Sequence, residues 1–264
     1  MTGIVDFHTH AFPDSVAPNV VLQLEKHYGA VINNKGTRRE LEEQRRRAGI
    51  AACLISTAAT VPQQVIPANK WAVSIQREGG QALGTIHPDF PCLEEQLNFL
   101  AQGGIKGIKI HPELQGLPLD DPRFFPLWEL IGDRFFVLIH LGEAIVRPRG
   151  YASPDKLARV LALFPRLRAI GAHLGGFGMW QQAKETLIGG PCYLDTSSTI
   201  GYLPGEEIVG IIRAHGVEKV VFGSDYPVRS PEEELELFWS LPLTAREREL
   251  ILMENSGRLL AGEW

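Results

Sequence analysis

Two histidines near the start of the chain have the spacing of a metal-binding pair. His8 and His10 are two residues apart in an apolar, strand-like segment, so their side chains point to the same face of a strand. Two imidazoles on one face can share one cation, since histidine nitrogen is a common ligand of divalent first-row metals. Taken alone, the pair fits equally well a polar strand end with hydrogen-bonded histidines.

Polar residues also end two other apolar segments. His140 follows residues 137–139, and Asp225 follows residues 220–224. A buried imidazole or carboxylate needs a hydrogen-bond partner, an ion pair or a metal, so a core histidine or a turn-capping aspartate is the alternative for each. With His8 and His10 they form a nitrogen and oxygen ligand set that favours one divalent ion, Zn²⁺ first and Mn²⁺ as the alternative.

A second group of polar residues follows the same segments or neighbouring ones. His173 is predicted to be a proton-transfer group or a further ligand, with a packing role as the alternative. Lys109 and His111 share a face, and Lys109 either holds a substrate anion, bridges a second metal when carboxylated, or reaches into solvent. Asp195 orients an imidazole, binds substrate or makes a turn, and Glu143 is a candidate contact for an acidic substrate.

Short apolar segments that alternate with helix-like stretches must position these residues. Helix starts are predicted at Ser153-Pro154, Pro204-Gly205 and Ser230-Pro231, where proline takes the first helical turn or acids complement the helix dipole. The predicted strands are Gly3–His10, Ile50–Thr57, Ala82–Pro88, Gly107–Pro112, Phe135–Gly142, Arg168–Gly175, Cys192–Ser198 and Lys219–Asp225.

This alternation predicts parallel β-α-β units with both faces of the sheet covered. Eight such units in 264 residues favour an α/β fold of one domain, residues 1–264, closed as a (β/α)₈ TIM barrel. The carboxyl ends of all strands meet at one mouth of such a barrel, where catalytic groups sit. No G-x-G-x-x-G or P-loop motif follows any segment, which argues against an open nucleotide-binding sheet.

Composition excludes several classes of protein. The net charge of −5 implies no basic surface for nucleic acid, and no apolar run reaches the length of a transmembrane helix. Three cysteines without C-x-x-C spacing argue against a disulfide framework and favour a reducing, cytoplasmic location. The expected partner is a small carboxylated substrate. Phe238-Trp239, expected to be exposed, and Trp264 indicate a homodimer.

The polar residues at the ends of the predicted strands follow one another along the chain in an order that resembles that of the amidohydrolase superfamily. The similarity is to the branch that includes aminocarboxymuconate-semialdehyde decarboxylase and resorcylate decarboxylase. It implies that His8, His10, His140 and Asp225 are the metal ligands and that His173 lies beside them for proton transfer or substrate polarisation. The segments that carry the similarity are 6–10, 107–112, 140–142, 172–176, 193–197 and 222–227.

These observations together predict a metal-dependent hydrolase. It would act on an amide, lactone or ester bond of a small carboxylated molecule, with Asp225 accepting a proton from a metal-activated water. One alternative is nonoxidative, metal-dependent decarboxylation of a small unsaturated or aromatic acid, which differs by releasing CO₂. The others are a binuclear phosphoesterase, which needs a carboxylated Lys109 or another bridging carboxylate, and a noncatalytic binding barrel.

Overall fold

The structure is a computed structural model that describes residues 3–142 and 150–264. These residues form two compact units. Of the described residues, unit 1 comprises 3–55 and 195–263, and unit 2 comprises 56–142, 150–194 and Trp264. Within the described ranges, no helix has both the length and the apolar character needed to cross a membrane. The single domain expected from the sequence stays a prediction.

Short strands alternate with helices along the described chain. The strands are β1 (Val5–His10), β2 (Ala52–Ser56), β3 (Gln81–Ala82), β4 (Gly84–Thr85), β5 (Gly107–Ile110), β6 (Phe136–Ile139), β7 (Arg168–Gly171), β8 (Tyr193–Asp195) and β9 (Val220–Val221). The helices are α1 (Ala17–Tyr28), α2 (Arg38–Arg47), α3 (Val65–Arg77), α4 (Leu93–Gln102), α5 (Pro112–Gln115), α6 (Phe125–Ile131), α7 (Pro154–Leu163), α8 (Trp180–Thr186), α9 (Gly205–His215), α10 (Pro231–Ser240), α11 (Ala245–Glu249) and α12 (Asn255–Ala261).

In unit 1, β1 lies alongside the segment that continues from β9. The Phe7 N–H donates to the Phe222 carbonyl at 2.8 Å, and the Asp225 N–H donates to the His8 carbonyl at 2.8 Å. Phe7 and Phe222 are fully buried, so apolar burial stabilises the pairing. The two histidines of β1 are therefore held next to the residue that follows β9, although 215 or more positions separate them in sequence.

In unit 2, strands β4 to β8 run parallel and in order. Lys109 pairs with Thr85 on one side and with Leu138 on the other, and Gly171 of β7 pairs with Leu194 of β8. Every residue of β5 and β6 is buried, as expected for parallel strands covered on both faces.

The predicted strands are present, but most are shorter than predicted. The predicted strand Ala82–Pro88 is two short strands, β3 and β4, and most of the others end before their polar residues. Helices α7, α9 and α10 begin at the predicted sites. Neither Ser153 nor Ser230 accepts a side-chain cap hydrogen bond. The proline at the start of the helix is therefore the sequence feature that correctly predicted where α7 and α10 begin.

The aromatic residues invoked for a homodimer differ in exposure. Phe238 is fully buried and packs against Phe222, with ring centroids 5.6 Å apart. Its assignment to an exposed surface is therefore wrong. Trp239 and Trp264 are each more than two-fifths exposed, and the homodimer stays a prediction.

Candidate metal centre

The imidazole of His8 is oriented by a buried carboxylate. Its Nδ1 lies 2.8 Å from Asp195 Oδ2, and both side chains are fully buried. The Ser197 hydroxyl lies 2.9 Å from the same Nδ1 and donates to Asp195 Oδ1 at 2.5 Å. A proton on Nδ1 satisfies the carboxylate, so His8 Nε2 presents a lone pair, as in a carboxylate–histidine–metal arrangement.

His8, His10 and Asp225 converge on one point in unit 1. The two Nε2 atoms are 3.1 Å apart, and Asp225 Oδ1 lies 3.6 Å from each of them. Ligand atoms that share one Zn²⁺ at ordinary bond lengths lie roughly 3.0 to 3.4 Å from each other. Three ligand atoms of the right chemistry at nearly this spacing fit a divalent cation.

Asp225 is fixed in direction by its own segment. Its backbone has a φ of 67°, the left-handed conformation that aspartate adopts more readily than most residues. The Ser198 hydroxyl donates to Asp225 Oδ2 at 2.7 Å. This bond occupies one carboxylate oxygen and turns the other, Oδ1, toward the two histidines.

Asp6 connects the two segments that carry these ligands. Its fully buried Oδ1 accepts from the N–H of His8 at 3.3 Å and from the N–H of Ser224 at 3.0 Å. Burial raises the pKa of Asp6 to about 7, against the lowering effect of its bonds to Ser224 and to His8. No role was predicted for Asp6 from the sequence, and its only signal was an acid inside an apolar strand.

In unit 2, three histidines lie together. His140 Nδ1 is 3.1 Å from His173 Nε2, and the His111 ring stacks on the His140 ring at 3.9 Å between centroids. Glu113 Oε2 lies 3.5 Å from His140 Nε2 with its side chain fully buried. Glu113 was missed in the sequence, where its signal was an acid two residues after His111.

His173 begins a tight turn directly after β7. Its backbone φ is 60°, and Trp180 Nε1 donates to the His173 carbonyl at 2.9 Å. The backbone carbonyl is thereby bonded and the imidazole faces His140. This geometry suits a group that exchanges a proton, and the catalytic role of His173 stays a prediction.

The remaining predicted residues have mixed outcomes. Lys109 is fully buried, so the alternative of a lysine reaching into solvent is wrong. His111 Nδ1 accepts the Leu114 N–H at 3.3 Å and caps α5. Asp195 lies within hydrogen-bond distance of His8 Nδ1, and both functional roles suggested for it stay predictions. Glu143 lies outside the described residues.

Comparison with known proteins places these residues in a recognised family. Residues 5–261 match the sequence model of the family described as amidohydrolase. No curated protein sequence matches the chain.

Several solved bacterial structures have a similar fold. An uncharacterized TIM-barrel protein from Bordetella bronchiseptica has a TM-score of 0.75 at 18% identity, covering 98% of both chains. The 5-carboxyvanillate decarboxylase of Sphingomonas paucimobilis has a TM-score of 0.73 at 16% identity, covering 99% of both chains. A dihydroxybenzoic acid decarboxylase from Polaromonas sp. JS666, solved with bound manganese and the inhibitor 2-nitroresorcinol, has a TM-score of 0.70 at 13% identity, covering 99% of this chain and 97% of its own. The predicted fold class, a parallel α/β fold of the TIM-barrel type, is confirmed.

Proposed function

We propose that this chain, which belongs to the amidohydrolase family, is a metal-dependent decarboxylase of a small aromatic or unsaturated carboxylic acid. The observation that carries the proposal is the convergence of His8 Nε2, His10 Nε2 and Asp225 Oδ1. Hydrolysis was the first prediction from the sequence. The similar solved structures favour the alternative instead, because several of them are decarboxylases of aromatic acids.

The donor set determines which cations suit the site. His8, His10 and Asp225 would hold the ion, and the resemblance in sequence predicts His140 as a further ligand. Nitrogen and oxygen donors accept both Zn²⁺ and Mn²⁺, and the manganese in the Polaromonas enzyme supports testing Mn²⁺ first. When bound, the cation supplies Lewis acidity that holds and polarises an oxygen of the substrate.

The residues of the chain must then move one proton. Decarboxylation without an oxidant replaces a carbon–carbon bond by a carbon–hydrogen bond. A proton is delivered to the carbon that bears the carboxylate, and CO₂ leaves with its bonding electrons returned to that carbon. Asp225 and His173 are the proposed proton carriers, because Asp225 is hydrogen-bonded by Ser198 and His173 is paired with His140.

The test is product analysis on manganese-loaded protein. A panel of hydroxylated benzoates is incubated with the wild type, and CO₂ and the decarboxylated ring are both quantified. We expect stoichiometric CO₂ and ring product, and a loss of roughly 10² to 10⁴ in kcat in His173→Asn, as for removal of a general acid–base group. The matched control is His27→Asn, which changes a histidine of α1 outside the proposed site.

Hydrolysis is the second candidate, favoured by the amidohydrolase family match. Asp225 would then accept a proton from the attacking water, which the same carboxylate orientation permits. Small carboxylated lactones, esters and amides separate the two functions, because hydrolysis yields an acid with an alcohol or amine and no CO₂. Turnover of these compounds with none of the benzoates would contradict the decarboxylase proposal.

A further inference from the structure

An open groove lies between α3 and α4 in unit 2. Its volume is about 450 Å³, within the roughly 300 to 1,000 Å³ of small-molecule sites. None of the residues that line it belongs to the candidate metal centre or to the histidine cluster of unit 2. The lining residues, which come from the two helices and the position directly after α3, are Lys70, Val73, Ser74, Arg77, Glu78 and Phe99.

The two helices meet closely beneath the groove. Val73 of α3 is buried, and a side-chain carbon on Gly103, directly after α4, would lie 2.5 Å from Val73 Cγ2. Packed atoms do not come this close, so the contact depends on glycine at this position. The half-buried Phe99 ring lines the groove from α4. A groove bordered by packed helices has its shape before a ligand enters.

Three polar side chains lie along the α3 side of the groove. Lys70, Ser74 and Arg77 are spaced four and three residues apart, so they share one face of the helix. Lys70 and Arg77 are exposed, and neither forms an ion pair or a side-chain hydrogen bond with another residue in the described ranges. One opposing charge, that of Glu78, also lines the groove. The groove therefore has a net positive charge and favours an anion.

Ser74 and Phe99 add two further features that a ligand must match. The Ser74 hydroxyl donates to the Trp71 carbonyl at 2.7 Å, which leaves its oxygen to accept from a donor on the ligand. The Phe99 ring offers a surface on which another planar ring packs. The groove thus suits a molecule that combines an anionic group, a hydrogen-bond donor and a planar ring.

We propose that the groove binds a nucleoside monophosphate, a ligand separate from the substrate of the metal centre. A phosphate monoester has about 1.5 to 2 negative charges near neutral pH, which matches the two cations. Seven helical residues rise about 10 Å, a gap that the long side chains of Lys70 and Arg77 span from both ends. The phosphate lies between them, the base packs on Phe99, and a ribose hydroxyl donates to Ser74.

Isothermal calorimetry on the desalted, manganese-loaded protein tests the groove with AMP and three of its fragments. Adenosine lacks the phosphate, ribose 5-phosphate lacks the base, and inorganic phosphate lacks both base and sugar. We expect saturable binding of AMP and about tenfold or weaker binding of each fragment, because each loses the charge-assisted hydrogen bonds or the ring contact. No binding of AMP, or binding of inorganic phosphate as tight as that of AMP, would overturn the proposal.

Substitutions in the groove locate the binding. Lys70→Gln and Arg77→Gln should each weaken AMP binding about tenfold and leave adenosine binding unchanged, because each removes one cation that faces the phosphate. Phe99→Leu should weaken AMP and leave ribose 5-phosphate unchanged. The matched control is Lys26→Gln, which removes an exposed lysine of α1 and should bind AMP like the wild type.

The His8→Ala/Asp225→Ala variant separates the groove from the metal centre, since phosphate oxygens also bind divalent cations. Its folding is checked by circular dichroism, and we expect it to bind AMP with the affinity of the wild type. Loss of AMP binding in the folded double variant, with unchanged binding in Arg77→Gln, would place the phosphate at the metal centre and overturn the proposal. The inference does not rest on the proposed function, because no residue of the groove takes part in that reaction.

Discussion

At His8, one ring nitrogen is tied to a carboxylate and the other faces His10 and Asp225. The Asp195 bond to Nδ1 at 2.8 Å holds the tautomer in which Nε2 carries the lone pair and also raises the basicity of the ring. The Nε2 lone pair at the candidate metal centre therefore depends on Asp195, which is not itself one of the three converging residues.

We accordingly predict that Asp195→Asn weakens Mn²⁺ binding by roughly 10- to 100-fold, the usual effect of removing such a carboxylate. The measurement is a chelator-competition titration of the metal-free protein. Asp133→Asn is the matched control, because Asp133 pairs with Arg166 at the surface. An unchanged affinity in Asp195→Asn would contradict the role assigned to the carboxylate.

Glu234 makes stability depend on pH. Its pKa is raised from 4.5 to about 8 in the folded chain, chiefly by burial, so the folded state retains a proton that the unfolded state loses. The free energy of unfolding therefore falls as pH rises from about 4.5 to about 8, by on the order of a few kcal/mol at about 1.4 kcal/mol per pKa unit.

Glu234→Gln should remove the part of this fall that Glu234 causes, because glutamine carries no proton to lose, and should leave the part caused by Asp6, whose pKa burial also raises. Urea unfolding of each protein at about pH 5.5 and about pH 8.5, which cover most of this pH range, measures the change in its free energy of unfolding. Glu236→Gln, which changes an exposed acid on the same helix, should behave like the wild type. A fall of equal size in Glu234→Gln and the wild type would show that another group causes it.

At the scale of elements, the pairing of β1 with residues 222–226 assembles the ligands. Gly223 sits where a side-chain carbon would meet His8 Cβ at 2.7 Å, closer than packed atoms allow. Gly223→Ala should push β1 away and cost about 1 to 3 kcal/mol, as overpacking does, with weaker Mn²⁺ binding as a second effect.

Thermal unfolding and a metal titration of the same preparations test this prediction. Gly210→Ala is the matched control, because a side chain on Gly210 in α9 meets nothing within 4 Å. It should stabilise the helix by up to about 1 kcal/mol. If Gly223→Ala were as stable as Gly210→Ala and bound metal normally, the close pairing would not be needed for the site.

The elements were more predictable from sequence than the contacts between them. Apolar runs, and prolines at the starts of α7 and α10, specify local structure and were sufficient to predict most strands and helices. Asp6 and Glu113 were assigned no role, because their function depends on tertiary contacts. The bond from Ser224 to Asp6 crosses 218 positions, and nothing in the local sequence around either residue indicates it.

At the scale of the whole molecule, the set of candidate ligands predicts how many metal ions each chain binds. His8, His10 and Asp225 supply donors for one ion in unit 1. Lys109 is buried on β5, and its carboxylation with a second metal is the binuclear alternative from the sequence. The number of ions per chain therefore separates the proposed enzyme from a phosphoesterase.

Metal content per chain tests the central claim most directly. Protein purified without chelator or nickel affinity resin, then supplied with Mn²⁺ and desalted, is compared by elemental analysis with a His8→Ala/Asp225→Ala double variant whose folding is checked by circular dichroism. We predict about one equivalent in the wild type and loss of that equivalent in the folded double variant. Two equivalents would contradict the mononuclear site, and no metal in the wild type, or full retention in the double variant, would contradict the metal centre itself.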